Sequence, residues 1–186
     1  MKPMAKSPRR KSTGARDWYG QGVERHYQTH ALDYRNPHEP IVHDLLLRAS
    51  RELQVDWSAV LDLAAGSGEV TRGVASFASN VTAIDPFTHA GYARATCRPC
   101  RELSFEQIAR GALDAERFSV VVCSFAMHLC PESVLPTLCL ALARVAPTLL
   151  ILTPHKRPAV RPEWGWALSH ELMDRRVRLR QYRSTV

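Results

Sequence analysis

The sequence predicts an α/β domain with a doubly wound, mostly parallel sheet and helices on both of its faces. Three short apolar runs, at 59–63, 118–125 and 148–153, are typical of parallel strands buried on both sides, and segments of helical periodicity lie between them. The first run is followed by Gly66-Ser67-Gly68, whose glycines lack a Cβ and let the backbone turn sharply and approach a ligand. A strand, a glycine turn and a helix start form one half of a nucleotide-binding crevice.

Positive charge is concentrated at the two ends of the chain, which has 186 residues and a net charge of +7. Residues 1–16 carry six Lys or Arg and no acid, and we expect them to form a disordered basic tail. Residues 174–186 carry five Arg and one Asp. We expect residues 17–186 to form a single domain whose middle part is not strongly basic, which argues against a nucleic-acid-binding core.

The distribution of apolar residues gives no sign of a membrane protein. The chain has no run of about 18 apolar residues and no apolar stretch near its start, so we expect neither a membrane span nor a signal peptide. We expect a cytoplasmic protein, and the basic stretch 7–11 leaves nuclear import open. We expect the five cysteines to be free thiols, and a zinc site would need a second pair besides Cys97 and Cys100, so we predict no metal site.

Periodicity and turn residues indicate the elements around the glycine turn. Pro40 suits the first turn of a helix over 40–53, whose apolar stripe predicts packing on the sheet. Residues 80–85 are predicted to form the second strand. Residues 88–102 indicate a poor helix and a loop, and 103–105 indicate a short strand at best.

The second half of the chain is regular at first and then less so. Ser133 is the expected N-cap of a helix whose apolar face runs from Leu135 to Val145. Residues 164–176 suggest a helix. Residues 177–183 alternate between apolar and polar side chains, which predicts an edge strand with Arg on its wet face.

One acid and three small residues occupy alternate positions from the end of the first strand through the glycine turn: Asp62, Ala64, Gly66 and Gly68. This spacing resembles motif I of the class I S-adenosylmethionine (SAM)-dependent methyltransferases, Asp/Glu-x-Gly/Ala-x-Gly-x-Gly, with Ala64 where the first glycine usually stands. Asp85 follows Gly68 by 17 residues at the end of the second strand, where an acid can accept hydrogen bonds from both ribose hydroxyls. The resemblance implies a Rossmann-like fold, methyltransferase activity and SAM as the cofactor.

The same resemblance bears on how the sheet closes. It covers roughly residues 38–156, and the family usually adds a sixth strand and an antiparallel seventh. Residues 177–183 supply one candidate for these two strands. We therefore expect a methyltransferase-like sheet that lacks part of its C-terminal strands.

The resemblance also implies which residues contact the cofactor. Asp62 would hold the methionine ammonium group, directly or through water, and the turn with its following helix start suits the methionine carboxylate, an anion. Glu106 would accept from the adenine amino group, and Ser124 ends the strand that faces the transferred methyl. The full expected cofactor-binding set comprises Asp62, Ala64, Gly66, Ser67, Gly68, Asp85, Pro86, Phe87, Phe105, Glu106 and Ser124.

The catalytic candidate is His128, just past the strand 118–125. Methyl transfer from a sulfonium depends more on alignment of nucleophile, methyl and sulfur than on acid and base groups. Residues 124–127 read Ser-Phe-Ala-Met rather than Asn/Asp-Pro-Pro-Tyr/Phe, which disfavours methylation of exocyclic or amide nitrogens. His128 is similar in place to a His common in small-molecule methyltransferases, and histidine titrates near neutral pH, so it is our candidate base.

Three functions remain open from the sequence. The first is transfer of a methyl group from SAM to an O or N atom of an unidentified acceptor, with a small molecule favoured over RNA bound by the basic ends. The second is a catalytically silent SAM-binding or scaffold protein that holds a partner through those ends. The third, a nicotinamide-dependent oxidoreductase, would want a third glycine at position 71, where Thr71 stands. The aromatic segment 17–37 forms either a cap over the pocket or a helix at the domain edge.

Overall fold

A computed structural model describes residues 36–186 as a six-stranded sheet with helices on both faces. The expected basic tail and most of the aromatic segment that follows it lie outside the described residues. In chain order the elements are α1 (Glu39–Glu52), β1 (Val60–Leu63), α2 (Glu69–Gly73), β2 (Val81–Ile84), α3 (His89–Thr96), α4 (Phe105–Ala109), β3 (Val120–Ser124), α5 (Leu135–Val145), β4 (Thr148–Thr153), β5 (Trp166–Asp174) and β6 (Val177–Ser184).

The sheet has the strand order β2-β1-β3-β4-β6-β5, in which the first four strands are parallel and β6 is antiparallel to both of its neighbours. Every residue of β1, β3 and β4 is buried, because helices cover both faces of the parallel part. One apolar cluster joins α5 to one face and a second joins α1 to the other. The predicted doubly wound α/β fold is thus confirmed. No helix in residues 36–186 is long and apolar enough to cross a membrane.

The sequence predicted two helix starts, one at Pro40 and one at Ser133. The first prediction is confirmed and the second is wrong. Pro40 lies in the first turn of α1, where its missing N–H costs no hydrogen bond, as predicted. Ser133 is not the N-cap of α5, which begins at Leu135 after Val134 and has no side-chain cap. The carbonyl of Pro131 accepts from the N–H groups of Val134 and Leu135, so the backbone itself satisfies the donors that a serine cap would serve.

The segment between β2 and α4 differs from the sequence prediction. Residues 89–96 form the regular helix α3 rather than a poor one. The short strand expected at 103–105 is absent, because Ser104 caps α4 in a reciprocal pair of hydrogen bonds with Gln107. The sheet continues beyond β2 as a single isolated bridge between Ile84 and Arg101. The capping hydrogen bonds between Ser104 and Gln107 therefore place this segment at a helix start, although residues 103–105 have a weak β-strand pattern.

The C-terminal strands are complete, which corrects the expectation that part of them is missing. Residues 166–174 form the strand β5 rather than a helix, and β5 pairs with β6 in an antiparallel hairpin. Arg175 and Arg176 both have positive φ, at 42° and 76°, which suits the tight two-residue connection of a hairpin. The edge strand is β5, and β6 lies inside the sheet between β4 and β5. Several consecutive residues of β5 are exposed, so its sequence lacks the regular alternation of apolar and polar side chains that indicates a strand.

Trp166 anchors this hairpin, and its substitution tests the strand assignment. Its ring is fully buried and its Nε1 donates to the carbonyl of Cys139 at 2.8 Å. Trp166→Phe is expected to lower the free energy of unfolding by about 2 kcal/mol, because it removes that bond and leaves a cavity. Urea denaturation followed by circular dichroism measures the change.

The control variant is Leu168→Ala on the same strand, whose side chain is 57% exposed. Its free energy of unfolding is expected to stay within about 0.5 kcal/mol of the unsubstituted protein. Equal losses in the two variants would contradict the description of β5 as an edge strand held by one buried aromatic ring.

Candidate active site

The carboxyl ends of β1, β2 and β3 meet at one edge of the sheet and open into a cavity of about 380 Å³. Ligands of doubly wound folds bind at this edge, because the connections diverge there and leave a crevice. The described residues that line it are Leu63, Ala64, Gly66, Glu69, Asp85, Pro86, Phe87, Thr88, Leu103, Ser104, Phe105, Glu106, Ser124, Phe125, Ala126, Leu129 and Pro131.

Most of the residues expected to bind the cofactor lie on this wall. The eight that do are Ala64, Gly66, Asp85, Pro86, Phe87, Phe105, Glu106 and Ser124. Asp62, Ser67, Gly68 and His128 do not line the cavity. The hydroxyl of Ser124 is buried and has no hydrogen-bond partner within residues 36–186, so a polar atom on the cavity wall is left unpaired.

Asp85 joins the glycine turn to the end of β2. Its Oδ2 accepts from the N–H of Gly66 at 3.0 Å, and its Oδ1 accepts from those of Phe87 and Thr88 at 2.8 and 2.7 Å. The Thr88 hydroxyl donates back to the Gly66 carbonyl at 2.9 Å. A carboxylate accepts about four hydrogen bonds, so about one position on Asp85 remains for a ligand hydroxyl.

The turn itself needs left-handed backbone at several positions. Ala64 has φ 57°, which glycine adopts freely and which costs a residue with a Cβ about 1–2 kcal/mol. Gly68 has φ 88°, and a Cβ there would lie 2.4 Å from Cγ2 of Thr96. Gly68 is therefore required by the packing of α3 against the turn. Phe125, on the cavity wall after β3, is also left-handed at φ 55°.

Asp62 lies beneath the turn and holds α2 to β1. Its Oδ2 accepts from the N–H of Thr71 at 3.1 Å and from the Thr71 hydroxyl at 2.7 Å. That hydroxyl also pairs with the Tyr92 hydroxyl at 2.9 Å. Burial raises the pKa of Asp62 well above its usual value, the nearby charges of Glu69 and Asp85 raise it further, and the Thr71 bonds oppose the shift. The bonds of its Oδ2 hold α2 to β1, and its Oδ1 is buried without a hydrogen-bond partner within residues 36–186.

Glu69 is a cavity residue that the sequence analysis missed. It begins α2 directly after the turn, and it is only 3% exposed. Its two carboxylate oxygens accept from Asn36 Nδ2 at 3.0 Å and from the Ser67 hydroxyl at 3.2 Å. In the sequence it resembles an ordinary acid in the first turn of a helix, and the signal that could have exposed it is its position directly after the second glycine.

His128 lies in a short 3₁₀ turn, Met127–Leu129, outside the cavity lining. Its ring packs edge-on against His155, with 4.8 Å between ring centroids. Burial and, to a smaller extent, the charge of His155 together lower the pKa of His128 from 6.5 to about 4. The ring is therefore neutral at neutral pH, and its Nδ1 has no hydrogen-bond partner within residues 36–186. Its catalytic role stays a prediction.

Cys97 and Cys100 do not form a reactive pair. Cys97 is exposed and ends α3 in a left-handed conformation. Burial raises the pKa of Cys100 to about 12, so its thiol stays protonated at neutral pH. Both thiols are free.

Comparisons with known proteins identify similar chains and folds. A family model described as a methyltransferase domain matches residues 60–147. The chain is 30% identical over 225 residues to the uncharacterized protein C17A5.05c of Schizosaccharomyces pombe, and the match covers 91% of each chain.

Solved structures with a similar fold include two methyltransferases. One is magnesium protoporphyrin IX methyltransferase from Synechocystis PCC 6803 with bound SAM, at a TM-score of 0.62 and 13% identity over 91% of this chain and 95% of that one. Another is the N-methyltransferase NodS from Bradyrhizobium japonicum WM9 with S-adenosyl-L-homocysteine (SAH), at a TM-score of 0.64 and 17% identity over 88% of this chain and 98% of that one. At these identities the likeness establishes the fold.

The left-handed conformation of Ala64 generates a stability prediction. Ala64→Gly is expected to raise the free energy of unfolding by about 0.5–1 kcal/mol, because relief of the Cβ strain exceeds the extra entropy of glycine in the unfolded chain. Ala126→Gly is the matched control, since Ala126 lines the same cavity at φ −125° and is expected to lose stability. Thermal unfolding of both variants measures the changes, and a destabilised Ala64→Gly would contradict the strain argument.

The buried His128 ring generates a pH prediction. Its pKa is lowered from 6.5 to about 4 in the folded protein, so the unfolded chain takes up a proton first as the pH falls. Stability present above about pH 6.5 is therefore lost between that pH and about pH 4, and His128→Gln is expected to lose less over that interval. Urea denaturation across this range compares the variant with His170→Gln, a control on the exposed part of β5. Identical pH slopes in all three proteins would contradict the prediction.

Proposed function

The chain belongs to the class I SAM-dependent methyltransferases, and we propose that it transfers the methyl group of SAM to an oxygen or nitrogen atom of a small-molecule acceptor. The observation that carries this proposal is the hydrogen bond between Asp85 and Gly66. It places a carboxylate beside the glycine turn at the ligand-binding edge of the sheet, where a nucleoside with an amino-acid tail needs both.

The cavity wall offers suitable partners to each part of the cofactor. The free acceptor position on Asp85 suits a ribose hydroxyl, and Phe87 and Phe105 supply aromatic surface for the adenine ring. Glu106 suits the adenine amino group. Ser124 supplies an unpaired hydroxyl at the end of β3, towards the reacting end of the site. Bound SAM would supply the electrophilic methyl group on its sulfonium.

The chain's own contribution to catalysis is alignment and exclusion of water. The wall beyond Ser124 is formed by Phe125, Ala126, Leu129 and Pro131, which give an apolar acceptor site. Holding a nucleophile in line with a methyl and its leaving sulfur can supply much of the rate enhancement. Where the acceptor must lose a proton, we propose His128 as the base, because its neutral ring can accept one and it adjoins the cavity residue Leu129 in the sequence; its lowered pKa makes it a weak base, and its side chain does not line the cavity.

The structure favours a small acceptor over RNA because most C-terminal arginines are already engaged. Arg178 and Arg180 both pair with Glu171, at 3.5 and 2.8 Å. Arg183 donates to the Thr148 hydroxyl at 3.0 Å and to the Gln54 carbonyl. These three guanidinium groups are engaged with neighbouring residues, which leaves Arg175 and Arg176 as exposed cations of this region for a phosphate backbone.

The same region of the chain argues against the alternative that the protein is a catalytically silent scaffold. Its main support was the expected loss of C-terminal strands, and the complete β5–β6 hairpin removes that support. One structural neighbour is named for magnesium protoporphyrin IX, which supports a small-molecule acceptor, and another is named for RNA methylation. We propose a cytoplasmic location for the enzyme, with the basic stretch 7–11 leaving nuclear import open.

Calorimetric titration with SAM and SAH tests the proposal directly. The unsubstituted protein is expected to bind both, and Asp85→Ala to weaken the binding of each by at least about 1 kcal/mol, because a ribose hydrogen bond is lost. Asp44→Ala, an exposed acid on α1, is the matched control and is expected to bind normally. Both variants are compared below their unfolding temperatures, since Asp85 also orders the turn.

Each outcome has a distinct meaning. Absence of heat with either compound would refute the proposed function. Unchanged affinity in Asp85→Ala would remove Asp85 from the site. Binding without SAH release over a broad panel of hydroxyl and amine acceptors would favour the scaffold.

A further inference from the structure

We propose that Glu69 binds the α-ammonium group of the methionine part of the cofactor. This inference rests on the proposed function, because it assigns one end of the same cavity. Glu69 lies on the cavity wall at the start of α2, and its carboxylate is almost completely removed from water.

The partners of the Glu69 carboxylate leave a charge uncompensated. Asn36 and Ser67 donate to its two oxygens, and both donors are neutral. Among residues 36–186 no Lys, Arg or His side chain lies within ion-pair distance of it. The adjacent Arg72 pairs instead with Glu39 at 2.6 Å. A buried charge is costly unless it is paired, so this site calls for a cation from the ligand.

The other acids that line the cavity have other proposed partners, which leaves Glu69 for the ammonium group. Of the described residues, three acids line the wall: Glu69, Asp85 and Glu106. Asp85 lies at the end of β2 and Glu106 on α4, where the ribose and the adenine are proposed to bind. Glu69 begins α2 directly after the glycine turn and is the cavity acid that remains for the methionine tail. The α-ammonium group is the cation of that tail.

Asp62, the acid that motif I suggests for this task, is less suited to it. It does not line the cavity, and two hydrogen bonds from Thr71 occupy its Oδ2, while its buried Oδ1 has no hydrogen-bond partner within residues 36–186. Burial raises its pKa well above the usual value, which favours a neutral group that attracts a cation weakly. Glu69 is seven residues further along the chain and lies on the wall itself.

Asn36 and Ser67 act as positioning residues for this carboxylate. Asn36 is 4% exposed, and its side-chain oxygen also accepts from the N–H of His38 at 2.9 Å. Its amide is therefore fixed on one side by the start of α1 and on the other by Glu69. A carboxylate held in this way loses little freedom when it meets the ammonium group.

The test compares ligands that differ at the methionine end. Glu69→Gln, Glu52→Gln and the unsubstituted protein are titrated with SAM, SAH, the deaminated analogue of SAH, and 5′-methylthioadenosine, which lacks the amino-acid tail. Glu69→Gln is expected to bind SAM and SAH at least tenfold more weakly, with affinities for the other two ligands within twofold of the unsubstituted protein. Glu52→Gln, an exposed acid near the end of α1, is expected to change nothing.

Several results would overturn the assignment. Equal losses on all four ligands would mean that Glu69 only supports the turn, and a loss confined to SAM would place it beside the sulfonium. Unchanged affinity for SAH would also refute it. If no ligand binds the unsubstituted protein, the proposed function itself fails, whereas normal binding with an unaffected Glu69→Gln removes this inference alone.

A second pair of variants keeps the test decisive if Glu69→Gln does not fold. Ser67→Ala and Asn36→Ala each remove one hydrogen bond from the carboxylate and leave its charge. Each is expected to weaken SAH binding several-fold and to leave 5′-methylthioadenosine binding unchanged. An equal effect on both ligands would contradict the proposal.

Discussion

The hydrogen bonds of Asp85 are the interaction on which the rest of the site depends. One carboxylate receives three backbone N–H groups, from the glycine turn and from the chain after β2. It therefore fixes the distance between two segments that are 19 residues apart. The cavity between them exists because these strand ends cannot separate. Ala64 and Gly66 then adopt left-handed backbone to complete the bend, and the strain at Ala64 is sustained by this cross-link.

The sequence predicted the parts of the fold that are buried on both sides. The runs that became β1, β3 and β4 are short, apolar and fully buried, so composition alone reveals them. The sequence predicted less well where one face of a strand is exposed to solvent, and where a residue assigned to a strand caps a helix instead. The strand β5 was read as a helix because exposed His170 and Glu171 interrupt its alternation. Ser104 was assigned to a strand, and only its hydrogen bonds with Gln107 identify it as a cap.

The sequence predicted a cavity residue correctly where its type and its spacing within a known motif both point to a ligand. Gly66 and Asp85 are examples, and both line the cavity. Glu69 carries no such signal, because an acid at the start of a helix is common on protein surfaces. Its carboxylate accepts a hydrogen bond from Asn36, 33 residues away in the chain, and long-range pairing of this kind cannot be inferred from spacing. The position of His128 against His155 is likewise a tertiary fact, joining the ends of β3 and β4.

The location of β6 between β4 and β5 has a consequence for chains that lack it. The strand β4 is buried along its whole length, Thr148 to Thr153, and β6 covers its outer edge. A chain that lacks residues 177–184 would leave the N–H and C=O groups of that edge unpaired and open to another chain. We therefore expect chains without β6 to be the aggregation-prone ones.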